Sequence, residues 1–162
     1  MAHIVADKDT RLSPQQVIKA LTDFSERRPE LWPNIDPNYY KVHQISDSSA
    51  DVTEGSRSVW ERTHYDWSEP GKVRIRVEDS NAFRPGSYWL YSVEPQPAGG
   101  SHVHLELLRI PRNVKGFFLS ALFTVAGRRI FEHFLDDTLH RVELRSARAD
   151  GPSSPEGHPS RS

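Results

Sequence analysis

The stretch covering residues 40–110 constrains the fold most, because it contains a series of strands with very little chain between them. Six segments alternate apolar and polar side chains or are rich in β-branched and aromatic residues. Short turn sequences such as SDSS, SEPG and PAGG separate them. Parallel neighbours would need long crossover connections, so this spacing predicts an antiparallel meander.

A strand and two short helices are predicted ahead of the meander. The segment HIVADKDTRL, residues 3–12, alternates loosely and indicates a first strand. Ser13 is a natural N-cap, Pro14 occupies the first helical position and Gln16 can complete a capping box. Three prolines then limit the chain to a second short helical turn near Glu30–Trp32.

A long helix is predicted after the meander, over residues 114–147, which contain no proline. Its apolar residues recur at helical spacing, and Gly127 is a point where it can bend. The first stripe is Val114, Phe117, Phe118, Ala121, Leu122 and Val125, and the second is Ile130, Phe131, Phe134, Leu135, Leu139 and Val142. This is the element long and apolar enough to cover one face of the sheet.

These elements predict an α+β domain over residues 1–145. A curved antiparallel sheet of six to seven strands wraps around the long C-terminal helix, with two short helices after the first strand. A cavity between the concave face of such a sheet and its helix is an expected ligand site. Residues 146–162 are rich in Ser, Pro and Gly and are predicted to form a disordered tail.

Composition excludes several classes of function. The 162 residues carry 21 basic and 22 acidic side chains, a net charge of −1, which argues against a nucleic-acid partner. The chain has no cysteine, shows no secretory signal, and its most apolar run, residues 116–127, is too short to span a bilayer. We therefore predict a cytoplasmic protein with no integral membrane segment and no cofactor.

Alternation along the strands predicts which side chains face inward. The inward residues are Val73, Ile75 and Val77 in one strand, Trp89, Tyr91 and Val93 in the next, and Val103, Leu105 and Leu107 in the last. The outward set of that last strand is His102, His104 and Glu106, a spacing that can hold zinc. Because these side chains face solvent, we predict an ordinary solvated strand face and not a metal site.

The segment VWERTHYDW, residues 59–67, does not divide cleanly. One face carries Val59, Glu61, Thr63, Tyr65 and Trp67, and the other carries Trp60, Arg62, His64 and Asp66. Either face would place a charge inside, which costs several kcal/mol unless the charge is paired. The strand therefore indicates a lined cavity with room for water and a ligand, rather than a packed core.

Several segments, in order, resemble the SRPBCC superfamily of START/Bet v 1-like proteins, and most closely its bacterial polyketide cyclase/dehydrase-like branch. They are SPQQVIKALTDFSERRPELWPNI, VWERTHYDW, VRIRVEDSNAF, YWLYSVEP and the C-terminal helix, and the resemblance runs from about His3 to Arg145. It implies a helix-grip fold with a deep pocket for apolar or aromatic molecules. In aromatase/cyclases with a similar strand, the tryptophan and alternate residues after it line the pocket, which implies inward Trp60, Arg62 and His64, with Asp66 at the rim.

The leading hypothesis is binding of a small hydrophobic or aromatic ligand, such as a lipid, quinone or polyketide-like molecule. The predicted site residues are Trp32, Trp60, Arg62, His64, Val77, Trp89, Tyr91, Leu105, Phe118, Leu122 and Phe131. One alternative is a cyclase, aromatase or dehydratase, with His64 as general base beside Arg62 or Glu61. This chain has His64 and Asp66 where the cyclases tend to have hydroxyl and arginine residues, so their catalytic set is not recognisable.

Another alternative is an interaction module with a vestigial pocket and an exposed apolar patch on the C-terminal helix. Phe117 and Phe118 are adjacent, so one of them can face away from the core and serve as a pocket gate or a homodimer contact. The segment GFFLSALFTVAGRR is predicted to pack against the sheet and form the back wall of the cavity; the alternative is contact with a membrane, with Arg128 and Arg129 at the headgroups.

Overall fold

The computed structural model describes residues 1–149 of the 162-residue chain. The elements in chain order are β1 (Ala2–Thr10), α1 (Pro14–Leu21), α2 (Arg28–Leu31), a 3-10 turn (Pro37–Tyr39), β2 (Lys41–Ile45), β3 (Ser49–Gly55), β4 (Trp60–Asp66), β5 (Lys72–Ser80), β6 (Tyr88–Pro95), β7 (Ser101–Arg109) and α3 (Val114–Ala149). This order is the one predicted from the sequence.

The strands form one seven-stranded antiparallel sheet in the order β1-β7-β6-β5-β4-β3-β2. Strands β2 to β7 are the predicted meander, and β1 joins it at the far edge by pairing with β7. The helices and the turn between β1 and β2 carry the chain from one edge of the sheet to the other. The α+β helix-grip prediction is confirmed.

Helix α1 begins as the sequence indicates. The Ser13 side chain accepts a hydrogen bond from the backbone N–H of Gln16, and the Gln16 side chain accepts one from the backbone N–H of Ser13. Pro14 lies at the start of the helix. Val17 and Leu21 are the buried residues of α1, and they join the common core. This packing places the end of α1 over the sheet, where the chain turns into α2.

The concave face of the sheet carries the predicted apolar sets. Val73, Ile75 and Val77 in β5 are at most 5% exposed, and the inward residues of β7 are at most 1% exposed. Tyr91 and Val93 in β6 are also buried. These three predictions of inward faces are confirmed, and together they form the wall that α3 covers.

The first half of α3 packs through its small residues. A Cβ on Gly116 would lie 2.0 Å from the backbone oxygen of Ala82, and one on Gly127 would lie 2.9 Å from Ile4 Cγ1. Gly127 neither ends nor interrupts the helix, which runs to Ala149. The glycines let the helix lie close to the sheet, and they fix which side of it faces inward.

The outward side of this half of α3 is therefore the predicted first apolar stripe. Val114, Phe117, Phe118, Leu122 and Val125 are between 50% and 89% exposed. The prediction that this stripe packs on the sheet is wrong, because the close glycine contacts turn the opposite side inward. Four residues of the second stripe, Phe131, Leu135, Leu139 and Val142, are buried as predicted, and Phe134 packs partly buried against them, whereas Ile130 is exposed.

Helix α3 continues past Arg145, where the domain was predicted to end, so residues 146–149 are helical. The rest of the predicted tail, residues 150–162, lies outside the described residues. None of the described helices is both long enough and apolar enough to cross a bilayer.

Candidate ligand cavity

A cavity of about 440 Å³ lies between the concave face of the sheet and α3. Strands β4 to β7 supply its floor, and Leu119, Phe123, Phe131 and Phe134 of α3 supply its roof. The segment that follows α2 and the connection between β3 and β4 close its sides. Its volume falls within the range that holds small organic ligands.

Aromatic rings form most of the apolar wall, contributed by Trp32, Phe83, Trp89, Phe123, Phe131 and Phe134. Trp89 meets Phe131 edge to face with ring centroids 5.5 Å apart, and Phe123 meets Phe131 at 5.3 Å. Such edge-to-face pairs hold rings in fixed orientations. The cavity therefore presents a rigid aromatic surface rather than a set of flexible aliphatic chains.

Arg109 lies among these rings as a buried cation. Its guanidinium carbon is 4.3 Å from the centroid of the Trp89 ring and 4.9 Å from that of Phe83. Its Nη1 donates a 2.6 Å hydrogen bond to Glu61 Oε1, and Trp89 Nε1 donates to the other carboxylate oxygen at 3.3 Å. The Arg109 side chain is only 3% exposed, so this pair is largely shielded from solvent.

A second buried cation, Arg28, is held on all sides by protein groups. Its Nε donates to Glu54 at 2.8 Å, and its Nη1 donates to the carbonyls of Leu21 and Asp23, each at 3.1 Å. Its Nη2 donates to the Tyr65 hydroxyl at 2.9 Å, and that hydroxyl donates in turn to Glu54. Arg28 is thus engaged in holding α1 and α2 on the sheet.

The pKa values in this cluster shift in directions that keep it stable at neutral pH. Burial lowers the pKa of Arg28, but the charge of Glu54 and the contact with Tyr65 outweigh it, so the net shift is upward. Burial and the nearby Glu54 raise the pKa of Tyr65 well above its ordinary value. Burial also raises the pKa of Tyr91. Arg28 is therefore charged, and both phenols keep their protons.

Two cavity residues have buried donors without acceptors. Trp32 Nε1 and Arg109 Nε have no hydrogen-bond partner among the described residues. A buried donor left without an acceptor costs roughly 1–3 kcal/mol. Both donors belong to side chains that line the cavity, but the two nitrogens are themselves covered by neighbouring atoms, so a ligand acceptor or a water would reach them only after a shift of the lining side chains.

The structure brings four of the predicted site residues together at the cavity, namely Trp32, Trp89, Tyr91 and Phe131. Trp32 is 6% exposed, which shows that it is packed into the cavity wall rather than projecting as a lid. Val77 and Leu105 are buried in the sheet but do not line the cavity.

Phe118 and Leu122 do not line the cavity, contrary to prediction, because they lie on the exposed side of α3. Leu119 and Phe123, each one position further along the helix, take their places. A shift of one residue turns a helical position by about 100°. The error therefore lies in the rotation of the helix, not in its position along the chain.

The inward orientation implied for Trp60, Arg62 and His64 is also wrong. The inward face of β4 carries Glu61, Thr63 and Tyr65, which line the cavity. Tyr65 is paired in register with Ile75 of β5, and directly opposed residues on antiparallel strands share a face. Glu61 is tolerated inside because Arg109 offsets its charge.

On the outer face, His64 Nδ1 lies 2.7 Å from Asp51 Oδ1 and faces away from the cavity. It therefore cannot act as a general base inside the cavity, and Arg62 cannot assist it there. Ligand atoms of Asp51, His64 and Glu78 all lie within 4.8 Å of one another, a spacing that fits a divalent cation. No metal ion is needed to explain this cluster. His64 is hydrogen-bonded to Asp51, and the charge of Glu78 is balanced by Arg62, whose Nε lies 3.9 Å from it.

The predicted solvent-facing histidines of β7 do face outward. His102 lies 2.7 Å from Asp9, and His104 lies 2.7 Å from Asp7, both on β1. Glu106 accepts a hydrogen bond from the Tyr88 hydroxyl. These groups join the outer faces of neighbouring strands and contribute nothing to the cavity.

Sequence reasoning missed both cavity arginines and Glu54, although alternation carried a signal for two of them. Arg109 continues the inward series that ends at Leu107 in β7. Glu54 continues the inward series of Ala50 and Val52 in β3. No comparable signal existed for Arg28, because its burial depends on contacts between distant segments.

Comparison with known proteins gives matches in structure only. The sequence matches no protein-family model and no curated protein. The solved structure of TTHA0849 from Thermus thermophilus superposes with a TM-score of 0.71 and 15% identity, covering 89% of this chain and 99% of that one.

Two further solved structures superpose on this chain. A START superfamily protein from Mycobacterium smegmatis has a TM-score of 0.69 and 15% identity, covering 90% of this chain and 99% of that one. The di-domain ARO/CYC StfQ of the steffimycin biosynthetic pathway has a TM-score of 0.65 and 8% identity, covering 93% of this chain and 52% of that one. This chain therefore has the START-like helix-grip fold, the fold that its sequence resemblance implied. At these identities the likeness concerns the fold alone.

Proposed function

We propose that the protein binds a small hydrophobic or aromatic molecule in the cavity between the sheet and α3. The observation that carries the proposal is a cavity of about 440 Å³ with a wall made largely of aromatic rings. Clefts of this size and lining are the usual sites for small organic ligands. Lipids, quinones and polyketide-like molecules all belong to this class of ligand. The cytoplasmic location is a separate prediction from the sequence.

The charges of the cavity disfavour an anionic ligand. Arg28 and Arg109 are each paired with a carboxylate, Glu54 and Glu61 respectively, and Asp36 adds a further carboxylate to the lining. An anionic ligand would find no cation without a partner and would meet an excess of negative charge.

The donors of Trp32 and Arg109 that have no acceptor favour a ligand that carries a carbonyl or hydroxyl oxygen. An aromatic ketone or quinone combines such an oxygen with a flat ring system that can stack against Trp89 and Phe131. A plain hydrocarbon would fill the same space but leave both donors unsatisfied. We therefore expect the protein to prefer aromatic ketones over matched hydrocarbons and matched acids.

Occupancy of the cavity can be tested with a neutral fluorescent probe, N-phenyl-1-naphthylamine, and with native mass spectrometry of the purified protein. Val59→Trp narrows the cavity at a half-buried lining position and should weaken probe binding by about tenfold or more. Ile45→Trp adds the same side chain at a position that is 58% exposed and should leave binding unchanged. No probe binding and no co-purifying small molecule would contradict the proposal.

Ligand chemistry can be tested with 9-fluorenone, fluorene and fluorene-1-carboxylate, which share a ring system. We expect 9-fluorenone to bind roughly tenfold more tightly than the other two, the effect of one or two hydrogen bonds. Trp32→Phe removes the Nε1 donor of Trp32 and should reduce the preference for 9-fluorenone. Trp67→Phe is the control, because Trp67 Nε1 donates to the Asp47 carbonyl outside the cavity. Equal binding of ketone and hydrocarbon would refute the role of the donors.

A second candidate function is acid–base catalysis on a bound aromatic ketone, supported by the Glu61 carboxylate in the cavity lining. Its partners Arg109 and Trp89 hold it in a fixed orientation. A base at this position could remove a proton next to a ketone carbonyl. Hydrogen–deuterium exchange of 1-tetralone in D₂O, followed by NMR, tests this directly. Exchange that is not accelerated by the protein, or that is equally fast with Glu61→Gln, would exclude Glu61 as the base.

A further inference from the structure

The outer side of the first half of α3 carries a surface that the cavity does not explain. We define the outer stripe as Val114, Phe117, Phe118, Leu122 and Val125. The two phenylalanines are 61% and 68% exposed, and Val125 is 89% exposed. A contiguous row of large apolar side chains is uncommon on a monomer surface and marks a site of interaction. At 1.5 Å per residue the stripe extends along the helix for roughly 17 Å.

The outer stripe cannot be buried by a simple rotation of α3. The opposite side of the same turns contains Gly116, Ser120 and Gly127, all buried. Rotation would replace Gly116 by a larger side chain at a point where a Cβ would already lie 2.0 Å from a backbone oxygen. The stripe is therefore a fixed part of the surface of residues 1–149, and whatever covers it must come from outside those residues.

The charges near the outer stripe indicate the kind of partner. Between Val114 and Phe131 the ionisable side chains are Lys115, Arg128 and Arg129, and all three are basic. Arg128 donates to Glu132, whereas Arg129 has no carboxylate within ion-pair distance among the described residues. An exposed apolar stripe with basic residues at both ends fits a helix lying in the interface of an anionic membrane. A second copy of the chain would instead bring the same basic residues together.

The position of the stripe relative to the cavity supports the same partner. Leu119 and Phe123, on the other side of these helical turns, line the cavity. Lys115 Nζ donates to the carbonyl of Ser58 at 2.6 Å, in the β3–β4 connection whose neighbouring residues also line the cavity. A bilayer that received the stripe would therefore lie beside the cavity.

We propose that the outer stripe docks the protein reversibly onto an anionic lipid surface, with Phe117 and Phe118 entering the interface and Arg128 and Arg129 near the headgroups. The docked orientation places the cavity next to the bilayer, where an apolar ligand is dissolved. That last consequence rests on the proposed function, whereas the docking itself does not depend on it.

Vesicle co-sedimentation tests the docking, using phosphatidylcholine alone and phosphatidylcholine mixed with phosphatidylglycerol. We expect the protein to sediment with the mixed vesicles, less with the neutral ones, and less at high salt. The double variant Phe117→Ser with Phe118→Ser should bind at least about tenfold more weakly. Ile45→Ser is the control, because it also removes an exposed apolar residue but lies in β2, at the edge of the sheet opposite β1. This variant should bind the vesicles like the original protein.

Three results would overturn the proposal. They are absence of binding to both vesicle types, equal binding to both, and unchanged binding by the double variant. Sedimentation velocity tests the competing occupant, because a dimer that dissociates in the double variant, without vesicle binding, would make the stripe a contact between copies. Binding of N-phenyl-1-naphthylamine by the double variant should be unchanged, so loss of docking and failure of the cavity proposal are distinguishable.

Discussion

Replacing Arg28 by Met tests whether the Arg28 cluster holds the fold together. The substitution keeps an unbranched apolar stem of similar length but removes every donor of the guanidinium. Arg28 Nε is 2.8 Å from Glu54, and the two side chains are 3% and 14% exposed. The carbonyls of Leu21 and Asp23 would also lose their donor. The variant therefore leaves a mostly buried carboxylate without its cation.

Breaking a buried ion pair from one side costs about 3–5 kcal/mol, because the remaining charge has no partner. The added loss of the two carbonyl contacts places Arg28→Met near the upper end of that range. With a urea dependence of about 2 kcal/mol per M, a loss of about 4 kcal/mol moves the unfolding midpoint by about 2 M. Such a shift is a large part of the total stability of a domain of this size.

Urea unfolding followed by tryptophan fluorescence measures this loss, with Arg145→Met as the matched control. Arg145 lies 3.5 Å from Asp23 but is 37% exposed, so its removal should cost less than about 0.5 kcal/mol. The double variant Arg28→Met with Glu54→Gln should recover part of the loss, since it also removes the buried charge. A midpoint for Arg28→Met close to that of the Arg145 control would refute the assignment of Arg28 to the fold.

Three further predictions concern other contacts. Arg109→Met and Glu61→Gln should each destabilise the protein, and the double variant should cost less than their sum, because it removes both buried charges; additive losses in urea unfolding would contradict this. Gly116→Ala should cost more than about 2 kcal/mol, since its Cβ would lie 2.0 Å from a backbone oxygen, and an unchanged thermal midpoint would refute that contact. The hydrogen bond that the His102 ring donates to the Asp9 carboxylate raises the pKa of His102 above 6.5, so the stabilisation from this pair is complete below pH 6.5 and is lost as the pH rises through the raised value. Because the His102–Asp9 pair is exposed, it should contribute less than about 1 kcal/mol to the free energy of unfolding. In His102→Gln, the free energy of unfolding should therefore change less with pH above 6.5 than it does in the original protein.

The sequence predicted the arrangement of elements because local signals determine it. The capping box at Ser13 and Gln16, the period of two in β5 and β7, and the proline-free stretch of α3 each specify an element without reference to distant residues. Short connections then restrict neighbouring strands to antiparallel pairing. The number and order of the elements follow from these signals.

The candidate site was predicted only in part, because its details depend on contacts between distant segments. Alternation in β4 leaves a charge on either face, and the choice depends on Arg109, which approaches Glu61 from another strand. Likewise, an apolar stripe on α3 does not reveal its own direction. That direction depends on Gly116 meeting a loop that follows β5. The pattern of a single strand or helix does not include these partners, so it cannot predict which of its faces turns inward.

The pairing of β1 with β7 has a consequence for how the chain folds. Ala2 lies opposite Arg109, so more than half of the chain separates the two strands that close this edge of the sheet. The hairpins of the meander need only neighbouring residues, whereas this edge must wait for a contact of long sequence separation, which slows folding. Helix α3 packs on β1 through Gly127 and Ile4, so the helix and the first strand complete each other. During synthesis the concave face of the meander is therefore uncovered until the end of the chain has been made, and in that interval the growing chain is most exposed to aggregation.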